Sequence, residues 1–350
     1  MILVAGAGAI GASVAYHLAL LGAGDVVLCD RGEVASGSTS RAMGGVRQQF
    51  STEAEVRLAR ESIAFFAELG PPYFHQVGYL FLATSDDGLA ALGERVRLQA
   101  GMGVPVELVD PAFVRGLAVD DVLGAAFCPQ DGVADPAAVA RELVRRAVEL
   151  GVELREHTAA ADLADRADTL VIACGPWSAE LGASAGVELP VRPLCRQLLL
   201  TGSIAALPDE LPMVVEAETG FHFRRRGDRL VVAMGDEVPR WGFETSVDTS
   251  VYDDRLARLA RRFVPAASTR IDDGWAGLYD MTPDAHPIIG RVADGVYAAC
   301  GFSGHGFMQS PAVGRALAEE LTGAPASFDL TPYGLARFSD SAAFPETLVL

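Results

Sequence analysis

The chain has 350 residues, 50% apolar and 21% charged, enough hydrophobic sequence for about two packed domains and too much for a disordered or fibrous protein. A formal net charge of -18, from 28 basic against 46 acidic residues, repels nucleic acid and anionic membrane surfaces. All 28 basic residues are arginine and no lysine occurs, which excludes a pyridoxal Schiff base, a P-loop nucleotide hydrolase and a protein kinase.

The five cysteines, Cys29, Cys128, Cys174, Cys195 and Cys300, are widely spaced and lack a C-x-x-C pair. Neither a disulfide framework nor a metal site is expected, and a reducing, cytoplasmic setting fits. Residues 1–24 carry no formal charge, but their glycines weaken a membrane helix and no basic stretch precedes them, so a buried fold element is predicted instead of a span or signal.

In chain order, residues 1–5 read as a buried parallel strand and 10–21 as a helix. Between them lies Gly6-Ala7-Gly8-Ala9-Ile10-Gly11. Residues 25–30 form a second strand ending in Asp30, 19 residues after Gly11. Gly6 allows the tight turn, Gly8 lets a pyrophosphate reach the helix N-terminus, and Gly11 lets helix pack on strand. Asp30 suits a ribose hydroxyl and disfavours a 2′-phosphate, hence NADP. This motif alone leaves NAD and FAD open. The run 37–47, with Ser38, Thr39, Ser40, Arg41, Gly44, Gly45 and Arg47, is small and hydroxylic where a nicotinamide enzyme continues its strand–helix alternation; a surface loop is the other reading.

Four later segments add detail: Asp131-Gly132-Val133-Ala134-Asp135-Pro136 opening an arginine-rich helix, 169–178, 275–284 and 301–308. Residues 169–174 form an apolar strand running into Gly175, where bare backbone can approach a cofactor, and Pro176 begins a helix. The loop 301–308 precedes a helix that Ser310 is expected to cap, with Pro311 at its first position and Gly323 past its end. Gly301-Phe302-Ser303-Gly304-His305 lacks the final glycine of a hydrolase nucleophile elbow. Residues 76–84 and 221–234 read as strands, 251–263 as a helix, and Arg224-Arg225-Arg226 as a solvated strand end.

In order and spacing these segments resemble the D-amino-acid oxidase and sarcosine oxidase superfamily of FAD enzymes, more narrowly its sarcosine oxidase β-subunit and proline dehydrogenase β-subunit branch, over nearly the whole chain. The resemblance implies an α/β (α+β overall) fold, with a Rossmann-like FAD-binding domain (1–70, 130–188 and 285–350) interleaved with a sheet-based substrate domain (71–129 and 189–284). Cofactor contacts are then expected from Gly6, Gly8, Ile10, Gly11, Asp30, Arg31, Ser38, Thr39, Ser40, Arg41, Gly44, Gly45, Val133, Ala173, Gly175 and Trp177. Gly301, Ser303, Gly304, His305, Gly306, Phe307 and Met308 complete the set. One departure is visible: between 154 and 169 only a short acidic, alanine-rich stretch stands where relatives carry hairpin strands.

The implied reaction oxidises a C–N bond of an amine or amino acid, sarcosine- or proline-like, with hydride passing to flavin N5 and an imine released. Arg47 is the expected carboxylate anchor, Tyr279 an active-site tyrosine, His305 a flavin-side histidine, and His222 and Gln197 further substrate contacts. Gly277 stands where monomeric sarcosine oxidases attach flavin through cysteine, so FAD is expected to be noncovalent. Relatives use lysines for oxygen activation and for substrate carboxylate; here Met308 replaces the second, and the stretch aligned with the first, Met234-Gly235-Asp236-Glu237, offers carboxylates. That favours a dehydrogenase or slow oxidase over a fast oxidase. Glycine and D-amino-acid oxidases show an arginine where Tyr279 stands, which makes a simple α-amino acid a poorer fit. Expected partners are the small-molecule substrate, oxygen or another electron acceptor, and further subunits. An electron-transferring FAD subunit and an NAD-dependent dehydrogenase are the alternatives.

Overall fold

The computed structural model describes residues 1–205 and 207–339. Its first sheet has six strands in the spatial order Ile288–Ala293, Val296–Cys300, Thr169–Ile172, Ile2–Ala5, Val26–Cys29 and Glu153–Arg155. All neighbours run parallel except Ile288–Ala293, which returns antiparallel on Val296–Cys300. Such a sheet is covered on both faces, so its strands are continuously apolar. Val4, Leu28 and Val171 pack toward helices Ala9–Leu20, Glu53–Leu69, Pro136–Glu149 and Gly306–Thr322. Their neighbours Leu3, Val27, Leu170 and Ile172 pack on Val187, Leu189 and Leu335 on the other side. Helix Ala9–Leu20 is buried nearly all round, which explains why its apolar residues do not keep to one stripe.

The second sheet has nine strands. Arg240–Trp241, Arg192–Thr201, Arg229–Ala233, His222–Arg226, Met213–Glu216, Tyr79–Ala83, Gly124–Cys128 and Glu107–Val109 follow in space, and the long Ile271–Met281 pairs with Arg192–Thr201. All pairings are antiparallel except Met213–Glu216 on Tyr79–Ala83. A small third sheet joins Gly45–Val46 to Gly132–Ala134 and Phe74–His75.

Several expectations need correction. The 221–234 stretch is a hairpin of two strands, His222–Arg226 and Arg229–Ala233. Arg224 is not a solvated strand end: it is half-buried, its Nε donates to Met43 O, and burial lowers its pKa to about 10. The 301–308 loop gives way to helix Gly306–Thr322 a turn earlier than expected, leaving Pro311 inside it. Phe307 O, whose usual donor Pro311 lacks, accepts from the Ser310 hydroxyl at 2.9 Å, so Ser310 repairs the helix instead of capping it. Gly323 does end the helix, left-handed at φ 70°. The 155–168 stretch holds the short turns Ala160–Asp162 and Ala164–Arg166 and no hairpin. Residues 340–350 of the expected cofactor domain lie outside the described residues.

Among the described residues, no helix is long and apolar enough to cross a membrane, no cluster of metal-ligating side chains occurs, and the cysteines are unbridged.

Candidate active site

A cavity of about 640 Å³ is lined by residues of both large sheets and of the loops between them. At one end stands the glycine turn. A Cβ on Gly11 would lie 1.8 Å from Gly6 O, so only glycine lets the helix seat this closely on the strand. The N-terminus of Ala9–Leu20 therefore opens into the cavity through Gly8, Ala9 and Ile10. Asp30 closes this end, each carboxylate oxygen accepting one backbone N–H at 2.8 Å, from Ala7 and from Gly32. Arg31 stacks on Trp177 at 4.6 Å, and Trp177 stacks on Phe243.

The hydroxylic run forms the short turn Ser38–Arg41 and is pinned to the long strand Ile271–Met281. Ser38 Oγ donates to Leu278 O at 2.7 Å, Trp275 Nε1 donates to Arg41 O at 3.1 Å, and Thr39 Oγ1 accepts from Ala9 N at 3.0 Å. Gly277 lines the cavity where this turn crosses the strand. A Cβ there would meet Arg41 Cβ at 2.9 Å, which accounts for glycine at this position.

A second helix N-terminus, that of Gly306–Thr322, opens into the same cavity through 304–308. Its approach loop is held by Asp280, which accepts from Gly301 N at 2.7 Å; burial pushes this carboxyl up to about 6 despite the loop amides. Behind the loop, Gln309 donates to Glu55, whose Oε1 bonds His286 Nδ1 at 2.7 Å.

The remaining lining forms a chamber around Arg47, Tyr79, Arg196, Met213, His222 and Tyr279. Arg47 is buried, lies 4.0 Å above the Phe50 ring and hydrogen-bonds Gln49 O and the Tyr79 hydroxyl. Its loop is anchored by Asp131, which accepts from Gln48 N at 3.0 Å and Gln49 Nε2 at 3.1 Å; burial raises this carboxyl to about 6. His222 is driven down to about 4 by burial and by the charges of Arg47 and Arg196, against the help of Gly220 O at 2.7 Å from Nδ1. It is therefore neutral near pH 7. With Nδ1–H donating to Gly220 O, Nε2 is the acceptor. Burial raises the Tyr279 hydroxyl pKa, with Arg196 and Arg47 opposing, so Tyr279 stays protonated.

Of the expected site residues, Arg47, His222, Tyr279 and His305 all line the cavity, as do Gly6, Gly8, Ile10, Asp30, Arg31, Ser38, Thr39, Arg41, Gly44, Gly45, Ala173, Gly175 and Trp177. Ser303, Gly304, Gly306, Phe307 and Met308 join them. Four of the expected cofactor contacts do not line it. Gly11 is consumed by packing on Gly6, Ser40 turns its hydroxyl to Gly37 O, Val133 pairs with Gly45 from outside, and Gly301 is occupied with Asp280. Gln197 faces away, donating to Asp236 and accepting from Asp248 N. Asp236 itself is bound by Arg240 at 3.1 Å and Arg255 at 3.8 Å and does not line the cavity, so the expected carboxylate beside the reacting centre is absent. Arg196, Tyr79 and Met213 were missed. Strand alternation offers either Arg196 or Gln197, and only the pairing Arg196↔Gly277 shows which one faces the cavity.

A family profile described as FAD dependent oxidoreductase matches residues 1–320, and the chain belongs to this family. Among curated proteins it is 26% identical to mitochondrial sarcosine dehydrogenase of Mus musculus over 97% of this chain and 41% of that protein. It is 30% identical to FAD-dependent oxidoreductase domain-containing protein 1 of Bos taurus over 96% of this chain and 84% of that protein. The crystal structure of L-proline dehydrogenase from P. horikoshii superposes with a TM-score of 0.88 at 27% identity, covering 97% of this chain and 98% of that one. The chain spans less than half the length of the sarcosine dehydrogenase and of the 4-methylaminobutanoate oxidase of Paenarthrobacter nicotinovorans, 41% and 45%.

The cavity fits FAD. Two helix N-termini opening into one cavity match the pyrophosphate and the electron-rich pyrimidine edge of the ring system, while Asp30 matches a ribose hydroxyl. Asp30→Ala is expected to weaken FAD binding about 10- to 100-fold by removing a charge-assisted bond, measured by titrating apoprotein with FAD. An unchanged affinity would place the ribose elsewhere.

Proposed function

We propose that the chain oxidises a C–N bond of an amine or amino acid, releasing an imine, with FAD bound noncovalently. Bound FAD supplies the hydride acceptor, and the protein supplies binding, orientation and a dry chamber. The reading rests on one observation above all: Arg47, protonated Tyr279 and neutral His222 share the chamber that the Gly306–Thr322 N-terminus enters. Arg47 grips the substrate carboxylate, with Phe50 behind the guanidinium fixing its plane. His222 Nε2 accepts a hydrogen bond from the substrate nitrogen, and Tyr279 donates to the carboxylate. His305 stands with Gly306 at the helix N-terminus, on the cofactor side.

The two large sheets support reading 1–70, 130–188 and 285–350 as the cofactor domain and 71–129 and 189–284 as the substrate domain. Gly277 in the place of an attaching cysteine supports noncovalent FAD, so acid precipitation should release all the flavin into the supernatant; colour left in the pellet would contradict it. Unbridged cysteines support a reducing, cytoplasmic setting. The test of function is anaerobic bleaching of the purified yellow protein by N-methyl and cyclic amino acids. A second reading, an FAD-holding subunit that passes electrons to partner chains, predicts bound flavin that no amine bleaches in the isolated chain.

The acceptor follows from the missing lysines. A guanidinium spreads its charge where an ammonium concentrates it, so oxygen reduction gains less from Arg196 than from a lysine. Substrate-reduced protein is expected to pass electrons to an artificial acceptor at least about tenfold faster than to air-level oxygen, read by stopped-flow absorbance. Fast stoichiometric peroxide formation by the isolated chain would make it an oxidase.

A further inference from the structure

Two guanidinium groups, those of Arg47 and Arg196, line the chamber. Arg47 and Arg196 both act on His222 and on Tyr279, so the two guanidinium groups share one space. Arg47 is built in, stacked on Phe50 and bonded to Gln49 O and Tyr79. Arg196 is different. Its Nε and Nη1 are buried and have no hydrogen-bond partner among the described residues, and its guanidinium lies 5.6 Å from the centre of the Tyr279 ring.

No acid answers it. Asp236, the carboxylate nearest in sequence, is held by Arg240, Arg255 and Gln197 on the opposite face of the strand. Asp280, adjacent to Tyr279, is turned to the amide of Gly301. A half-buried guanidinium that lines the cavity with no carboxylate paired to it among the described residues carries a desolvation cost that an incoming anion relieves. The neighbours Leu198 and Met213 add no competing acceptor.

We propose that Arg196 is a second anion subsite, and that the substrate is an amine carrying two carboxylates: one on Arg47, the other on Arg196. This deepens the reading of C–N oxidation and rests on it for the reaction. The binding claim stands on the cavity alone. A diacid reaches both guanidinium groups, whereas a monoacid on Arg47 leaves Arg196 without a carboxylate. Selectivity therefore follows from the second carboxylate rather than from the size of the side chain.

The test separates binding from turnover. With the FAD-loaded protein, calorimetry with succinate and with propionate is expected to show the diacid binding about 10- to 100-fold more tightly, as one charge-assisted bond to Arg196 implies. Anaerobic bleaching should likewise favour N-methylaspartate and N-methylglutamate over N-methylalanine by a comparable ratio in bleaching efficiency. In Arg196→Met the diacid-to-monoacid ratio should collapse toward one, and in Arg196→Lys it should recover in part. Equal binding of succinate and propionate by the wild type overturns the proposal without any variant. So does a ratio that survives in Arg196→Met, or loss of FAD from that variant, which would assign the guanidinium to the cofactor. If succinate is preferred but no amine bleaches the protein, the subsite stands and the reading of amine oxidation fails.

Discussion

Arg47→Ala is expected to leave the flavin spectrum intact while lowering amine-dependent reduction by about 10²- to 10⁴-fold in kcat/KM, the equivalent of two charge-assisted bonds to a carboxylate. The effect is large because Arg47 is almost fully buried against Phe50 and is aimed by a loop that Asp131 holds through Gln48 and Gln49. Arg47→Lys should recover only part of the loss, since an ammonium keeps the charge but not the planar fork. Tyr279→Phe should cost less, about tenfold, because one neutral hydrogen bond is removed. His222, already neutral, should contribute no ionisation to the profile between about pH 5 and 9, where a titrating histidine would show a step. Wild-type reduction rates in both Arg47→Ala and Tyr279→Phe would move the active site out of this chamber.

Arg337→Met is expected to destabilise the folded protein by about 3 to 5 kcal/mol, the cost of stranding one member of a buried ion pair. Arg337 donates to Asp284 at 2.8 and 3.1 Å, to His286 O at 2.8 Å and to Tyr333 O at 2.9 Å, with both charged side chains almost wholly buried. His286 continues the network through Glu55 to Gln309, whose N–H reaches His305 O, so the pair braces the loop that carries His305. Burial pushes the Asp284 carboxyl up, but Arg337 and His286 N–H more than offset it and hold it below the usual aspartate value. A depressed folded pKa contributes stability above the unfolded value and loses it as pH falls through the folded one. The gap between variant and wild type in urea unfolding should therefore be full near neutrality and narrow under acid conditions. Removing both charges, as Asp284→Leu with Arg337→Met, should restore much of the loss; equal destabilisation in the double variant would show that packing, not the pair, is responsible.

The glycine turn at one end of the cavity was legible in the sequence. Gly6, Gly8, Gly11 and Asp30 lie within a short span, where strand, turn and helix follow from local pattern. The small run 38–45, Ser40 apart, lines the cavity and is no plain surface loop, but its attachment to 275–278 is a contact between distant parts of the chain that local pattern does not show. The chamber around Arg47 and Arg196 depends on contacts between distant parts of the chain. Neighbouring residues on a strand point to opposite faces, so Arg196 and Gln197 are equivalent candidates until pairing with Ile271–Met281 sets which face meets the cavity. Tyr79 and Met213 meet through a parallel pairing of strands far apart in the chain, and Asp236 is held by Arg240, four residues on, and by Arg255 from a later helix. The start of the last helix was misplaced because Ser310 and Pro311 carry the signature of a helix beginning; in the fold the serine hydroxyl instead fills the hydrogen bond that proline leaves open, and the helix continues back to the residue beside His305.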